Sequence, residues 1–104
     1  MSHDLSDSSV AKIQGVFARY PAVEKAVLYG SRAKGNYKPG SDIDLTFFGS
    51  TLTHRLLADI ADALDDLLLP YSIDLSIFED LNHPKLREHI ECDGVVFYER
   101  PVSN

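Results

Sequence analysis

The stretch GSRAKGNYKPGSDID, residues 30–44, decides how this chain is read. It follows an apolar run, Ala26-Val27-Leu28-Tyr29, and leads into another, Leu45-Thr46-Phe47-Phe48. Two strand-like segments are thus separated by glycines and cations, with Asp42 and Asp44 one residue apart at the lip of the second. Gly30 lets a backbone come close to a ligand. Ser31 adds a hydroxyl, and a helical turn starting there would aim free N–H groups at an anion.

Working outward, Val10, Ile13, Phe17 and Tyr20 recur at helical spacing, with Asp7 or Ser8 as cap and Pro21 as stop. Residues 24–29 and 42–48 read as the two strands around the loop. Gly49-Ser50-Thr51 is expected to end the second strand and cap a long helix. That helix carries Leu52, Leu56, Leu57, Ile60, Ala61, Leu64, Leu67 and Leu68 on a broad face. Asp59, Asp62, Asp65 and Asp66 read as its solvated side, and Pro70 as its end. Residues 72–78 alternate strictly and predict a third strand. Residues 84–91 predict a short helix closed by Gly94. Residues 95–99 predict a last strand. The order α-β-β-α-β-α-β makes a sheet with helices packed against it.

The alternation is informative about chemistry. Ile43, Leu45 and Phe47 share one face of the second strand, so Asp42, Asp44 and Thr46 share the other. Ile73, Leu75 and Ile77 share one face of the third strand, and Ser72, Asp74 and Ser76 the opposite one. With the apolar faces turned to the helices and the strands adjacent, Asp42, Asp44 and Asp74 converge. Residues two apart on a strand are separated by about 6.6 Å, so two side chains can lean onto one cation. Carboxylates held that close repel unless something positive lies between them. A hard divalent ion with open positions, Mg²⁺ shared with a substrate's phosphates, suits such a donor set. Phosphates on Gly30 and Ser31 with metal on Asp42 and Asp44 compose a site for a nucleoside triphosphate. A Walker-type loop is the weaker reading because Asn36-Tyr37 stand where Lys-Ser/Thr belongs, as is a calcium loop because Thr46 and Phe47 replace a ligand and a glycine, and a plain Gly-rich turn capped by Asp42 accounts for either half alone but not for the combined pattern.

Composition sets the bounds. The chain has 104 residues, expected to form a single domain over 1–104, and 44% of them are hydrophobic. The single cysteine, Cys92, forbids an internal disulfide, points to a reducing compartment and is expected to be a buried thiol. No apolar run reaches membrane-spanning length and the polar start lacks a signal-peptide core, so a cytoplasmic protein is expected. The net charge of −6 argues against nucleic acid as the main partner. Arg32, Lys34 and Lys38 gather instead in the loop. Arg32 reads either as a phosphate contact or as a salt-bridge partner, Lys34 and Lys38 as solvated surface, and Tyr37 as a base-stacking or an exposed turn residue. His83 and His89 lack metal-ligand spacing and read as structural.

The combination of Gly30-Ser31, ten residues, and Asp42-Ile43-Asp44 resembles the signature of the DNA polymerase β-like nucleotidyltransferases. LYGSRAKGNYKPGSDIDL is similar in particular to the minimal nucleotidyltransferases, the antitoxin half of a two-component prokaryotic module, and the resemblance spans nearly the whole chain. It implies an α+β nucleotidyltransferase fold, a mixed sheet with helices packed on one face. It implies catalytic, metal-binding Asp42, Asp44 and Asp74, with Gly30 and Ser31 on the triphosphate and Arg32 as the further candidate contact beside them, Mg²⁺ as a pair of ions, and ATP as substrate. The implied activity is transfer of a nucleoside monophosphate, AMP from ATP, to a protein hydroxyl of a HEPN-type toxin encoded next door. A hetero-oligomer with that partner follows. The other function kept open is a non-catalytic antitoxin that neutralises a HEPN ribonuclease by binding it.

Overall fold

The structure is a computed structural model and describes residues 7–30, 43–69 and 71–101. Among them are helices α1 (Asp7–Ala18), α2 (His54–Asp65) and α3 (Pro84–Asp93), and strands β1 (Lys25–Tyr29), β2 (Ile43–Phe48), β3 (Ile73–Ile77) and β4 (Val95–Glu99). A single 3₁₀ turn, Phe78–Asp80, follows β3. The expected mixed α+β architecture is therefore present. No helix among the described residues is long and apolar enough to cross a membrane.

The sheet order is β3-β2-β1-β4. β1 pairs antiparallel with β2 and β4, and β2 pairs in parallel with β3. The parallel pair is possible because α2 carries the chain back along the sheet between its two strands. This topology brings the end of β1 and the starts of β2 and β3 to one end of the sheet.

The main core lies under α1 and α2. Ile13 and Phe17 of α1, Ala26 and Leu28 of β1, Ile43, Leu45 and Phe47 of β2, and Ile60 of α2 have no exposed surface. Phe17 anchors it, meeting Phe47 edge to face at 5.1 Å and Tyr98 at 5.8 Å between ring centres. The apolar period-two pattern of β1 and β2 thus buries one face. Asp59, Asp62, Asp65 and Asp66 are exposed, as the polar stripe of α2 predicts.

The third helix does not share that face. Val27, which points away from Ala26 and Leu28, packs with Phe78 and Ile90 in a second apolar cluster. Thus α1 and α2 occupy one face, as expected, while α3 and the 3₁₀ turn cover part of the other. Phe48 stacks on Phe78 at 4.5 Å, and Lys25 and Arg87 lie over the outer faces of the two rings at 4.7 and 4.6 Å.

Local signals moved some boundaries. α2 starts at His54 rather than directly after Gly49-Ser50-Thr51, because the Thr53 hydroxyl accepts the Leu56 N–H at 3.1 Å. The Ser50 N–H instead donates to the Glu24 carboxylate at 3.1 Å. α2 ends at Asp65 with Asp66 as its cap, and the predicted stop, Pro70, lies outside the described residues. Gly94 does close α3, but at φ −66° rather than in a left-handed turn. Its lack of a side chain serves space: a Cβ there would stand 2.5 Å from Val27 Cγ1 and 2.3 Å from the Ile90 carbonyl oxygen.

Two residue expectations have definite outcomes. Cys92 is exposed, against the expectation of a buried thiol. It follows Ile90, the buried residue of α3, by two positions, about 200° around a helix, and so faces outward. His83 and His89 are structural, as read. His83 Nδ1 accepts the Leu86 N–H at 3.2 Å and caps α3. His89 Nδ1 meets Asp93 Oδ2 at 3.0 Å one turn on.

Candidate active site

Three residues of the expected site are described: Gly30, Asp44 and Asp74. Ser31, Arg32 and Asp42, like Lys34, Tyr37 and Lys38, lie outside the described residues. The described three come together at one end of the sheet. Asp44 and Asp74 are direct register partners across the parallel β2–β3 pair. Register partners send their side chains to the same face, so the two carboxylates stand side by side on the face opposite the main core. Asp44 is half-buried and Asp74 exposed on the edge strand.

Gly30 continues directly from β1, whose last residue, Tyr29, is the register partner of Asp44. Its φ is +83°, a conformation natural to glycine. A Cβ on Gly30 would lie 2.7 Å from Asp44 Oδ2. The Asp44 carboxylate thus occupies the space that any side chain at position 30 would need. Glycine is required here for two reasons at once, backbone conformation and the approach of a carboxylate.

Sequence reasoning missed the floor of this site. Tyr29 is half-buried and shares a face with its register partner Asp44. Burial pushes its pKa up, the Ser76 hydroxyl opposes this, and the nearby Asp44 and Asp74 charges push it further up. The phenol is accordingly held in its neutral form beside the two carboxylates. Ser76 also approaches the Leu45 carbonyl at 3.5 Å. Thr46, in register with Ser76, is fully buried with its hydroxyl unpartnered. The signal in the sequence was the alternation itself: Tyr29, Asp44, Thr46, Asp74 and Ser76 all fall on the face that the apolar pattern leaves over.

The donor set is made of hard carboxylate oxygens, the chemistry that suits Mg²⁺. Among the described residues no group of three or more metal-ligating side chains occurs. Asp44 and Asp74 are the two described members of the expected three, and they fit such an ion: adjacent, on one face, with one of them open to solvent.

The sequence profile described as "Polymerase beta, Nucleotidyltransferase" matches residues 11–102. No curated protein matches the chain in sequence. Solved structures share its fold. One is a toxin–antitoxin complex with AMP-PNP, at 21% identity and TM-score 0.69, covering 92% of this chain and 75% of that one. A second is the toxin–antitoxin MntA–HepT, at 18% identity and TM-score 0.67, covering 91% and 74%. A third holds a tri-AMPylated Shewanella oneidensis HEPN toxin with its MNT antitoxin, at 19% identity and TM-score 0.65, covering 96% and 74%. At these identities the structures establish a common fold. With the profile spanning nearly the whole sequence, the chain belongs to the polymerase beta nucleotidyltransferase family.

Proposed function

We propose that this chain is a Mg²⁺-dependent nucleotidyltransferase that moves AMP from ATP to a hydroxyl of a HEPN-type toxin and so acts as an antitoxin. The observation that carries this reading is the Asp44–Asp74 register pair beside Gly30, in a chain of this family. The specific acceptor is supported by the neighbours that share the fold, one with AMP-PNP and another with an AMPylated HEPN toxin.

In this reading Gly30 and Ser31 hold the triphosphate, with Arg32 beside them, and Asp42, Asp44 and Asp74 hold two Mg²⁺ ions. Bound there, the metal supplies positive charge for the attacking and leaving oxygens. Gly30 leaves backbone room for phosphate next to Asp44. Asp74, exposed on the edge strand, accepts the proton of the acceptor hydroxyl. The acceptor oxygen bonds to the α-phosphorus, the bond from that phosphorus to the bridging oxygen breaks, and the electron pair leaves with pyrophosphate. Because β3 is an edge strand, a large acceptor reaches Asp74 without displacing another strand. The acceptor brings its own docking surface, since positioning supplies much of the rate in such chemistry.

The test is to incubate the chain with ATP, Mg²⁺ and the HEPN protein encoded beside it, and to weigh that protein. The expected result is a mass gain of one or more AMP groups, absent with Asp44→Ala. If the toxin is neutralised equally by Asp44→Ala with no mass change, the reading as a transferase is wrong and neutralisation is by binding alone.

A further inference from the structure

α2 ends against two local rules. Asp62, Asp65 and Asp66 crowd its C-terminus, all exposed, and its last turn holds no basic residue. A helix C-terminus carries partial negative charge and favours cations, so carboxylates there are repelled. Among the described residues none of the three forms an ion pair. Beyond the cap the chain turns through Leu68 at φ +54°, the left-handed region where glycine is the usual choice. The Leu68 N–H donates to the Asp65 carbonyl at 3.1 Å, so the turn is closed. The apolar pattern of α2 predicts Leu68 on its packed face, but the helix ends at Asp65, before that position. Leu68 is 89% exposed instead.

Next to this turn, between the end of α2 and the start of β3, lies a cleft of about 250 Å³ whose lining includes Leu64, Asp65, Leu69, Tyr71, Ser72 and Ile73. Ser72 and Ile73 lead into the edge strand that bears Asp74, and Ser72 and Asp74 are about 6.6 Å apart along it. The apolar corner and the exposed carboxylate thus share one end of the open edge of the sheet. A strained, exposed leucine, a cleft beside it and carboxylates without counter-charge all fit the same complement: cationic side chains around an apolar contact. A second copy of this chain would bring the same carboxylates and be repelled. We propose that this corner is where the acceptor protein docks. It lays a basic, apolar-centred surface on Leu68 and the cleft, and crosses the edge of β3 so that its hydroxyl reaches Asp74. The assignment rests on the reading of the chain as a transferase acting on a protein, and names the surface that such a partner grips.

The test uses the whole chain with, as probe, the HEPN protein encoded beside it. Leu68→Gly removes the exposed side chain and relieves the left-handed strain together. It is expected to raise the melting temperature of the free chain by about 4 °C. It is nonetheless expected to weaken affinity for the probe about tenfold. Asp65→Lys combined with Asp66→Lys is expected to slow association about tenfold at low salt and to flatten its salt dependence. That variant keeps its melting temperature, because cations suit a helix C-terminus. In single-turnover transfer the probe concentration at half-maximal rate should rise in step with the lost affinity. The rate at saturating probe, and the Mn²⁺ concentration at half-maximal thermal stabilisation, should stay at the parent values. Parent-like affinity in Leu68→Gly, or parent-like association in the charge reversal, would overturn the docking surface while a parent that still modifies the probe keeps the transferase reading intact. A fall in melting temperature large enough to explain the lost affinity would make Leu68 structural and overturn it too. A parent dimer that Leu68→Gly dissolves at unchanged probe affinity would give the corner to a second copy instead. A parent chain that neither binds nor modifies the probe would overturn the transferase reading itself, and the docking surface with it.

Discussion

Asp44 and Asp74 stand opposite each other in the parallel β2–β3 ladder, thirty positions apart in sequence and side by side on one face. One is half-buried and the other exposed, so their substitution should have different consequences.

Asp74→Asn keeps shape and removes a charge at an exposed position. Metal-free stability should stay within about 0.5 kcal/mol of the parent, as for most surface changes. Turnover should fall about 10²–10⁴-fold if Asp74 takes the acceptor proton. Denaturant unfolding in EDTA and a single-turnover assay measure the two. Unchanged turnover would remove Asp74 from the chemistry.

Gly30→Ala should damage both fold and function. The φ of +83° strains any residue with a Cβ, and that Cβ would meet Asp44 Oδ2 at 2.7 Å. The expected cost is about 1–3 kcal/mol. The displaced Asp44 carboxylate should also weaken the Mn²⁺ response, read by thermal shift.

Thr46→Val should be neutral or stabilising. Thr46 is fully buried and its hydroxyl has no partner, a situation that costs about 1–3 kcal/mol when water cannot enter. Replacing it with a methyl of similar size relieves that cost. A clear loss of stability in denaturant melts would mean that the hydroxyl is satisfied by bound water.

Two glycines make a matched pair. A Cβ on Gly15, inside α1, meets nothing within 4 Å, so Gly15→Ala should stabilise by about 0.5–1 kcal/mol. Gly94→Ala should destabilise by about 1–3 kcal/mol, since its Cβ would press on Val27 and the Ile90 carbonyl. Melting temperatures of both variants check the contrast.

Alkaline stability should report on Tyr29. Its pKa is raised by burial first, and by Asp44 and Asp74, against the pull of Ser76. An unfolded chain releases this proton near pH 10, while the folded chain retains it to higher pH. The contribution of the neutral phenol is thus fully present below about pH 10 and is lost as pH rises from there through the folded pKa. Unfolding free energies measured from pH 8 to 11 should fall less steeply in Tyr29→Phe than in the parent.

Much of this was legible before any coordinates. The alternation of 43–47 and 73–77 put Asp44 and Asp74 opposite the apolar faces of their strands, and the structure places them in register. Period-two patterns carry that information because one slip would bury charge. Other features were not legible for equally physical reasons. The meeting of Tyr29, Asp44 and Asp74 on one face spans three strands, and strand order is not written in any one of them. The position of α3 on the second face follows from Val27 and Phe78, two apolar residues that by pattern alone could have served either side. The start of α2 turned on which of several hydroxyls capped it, and Thr53 prevailed over Ser50 and Thr51.

The pairing of β2 with β3 through α2 has a consequence for how the molecule comes into being. The β1 and β2 segments can meet early, as near neighbours in the growing chain. The strand that bears Asp74 can dock only after α2 has been made and laid down, and non-local parallel pairing of this kind is slow. β4, the other edge, arrives last of all and closes on β1. A nascent chain that ends before β3 therefore lacks Asp74, and with it the Asp44–Asp74 pair. The pair exists only once β3 has docked on β2.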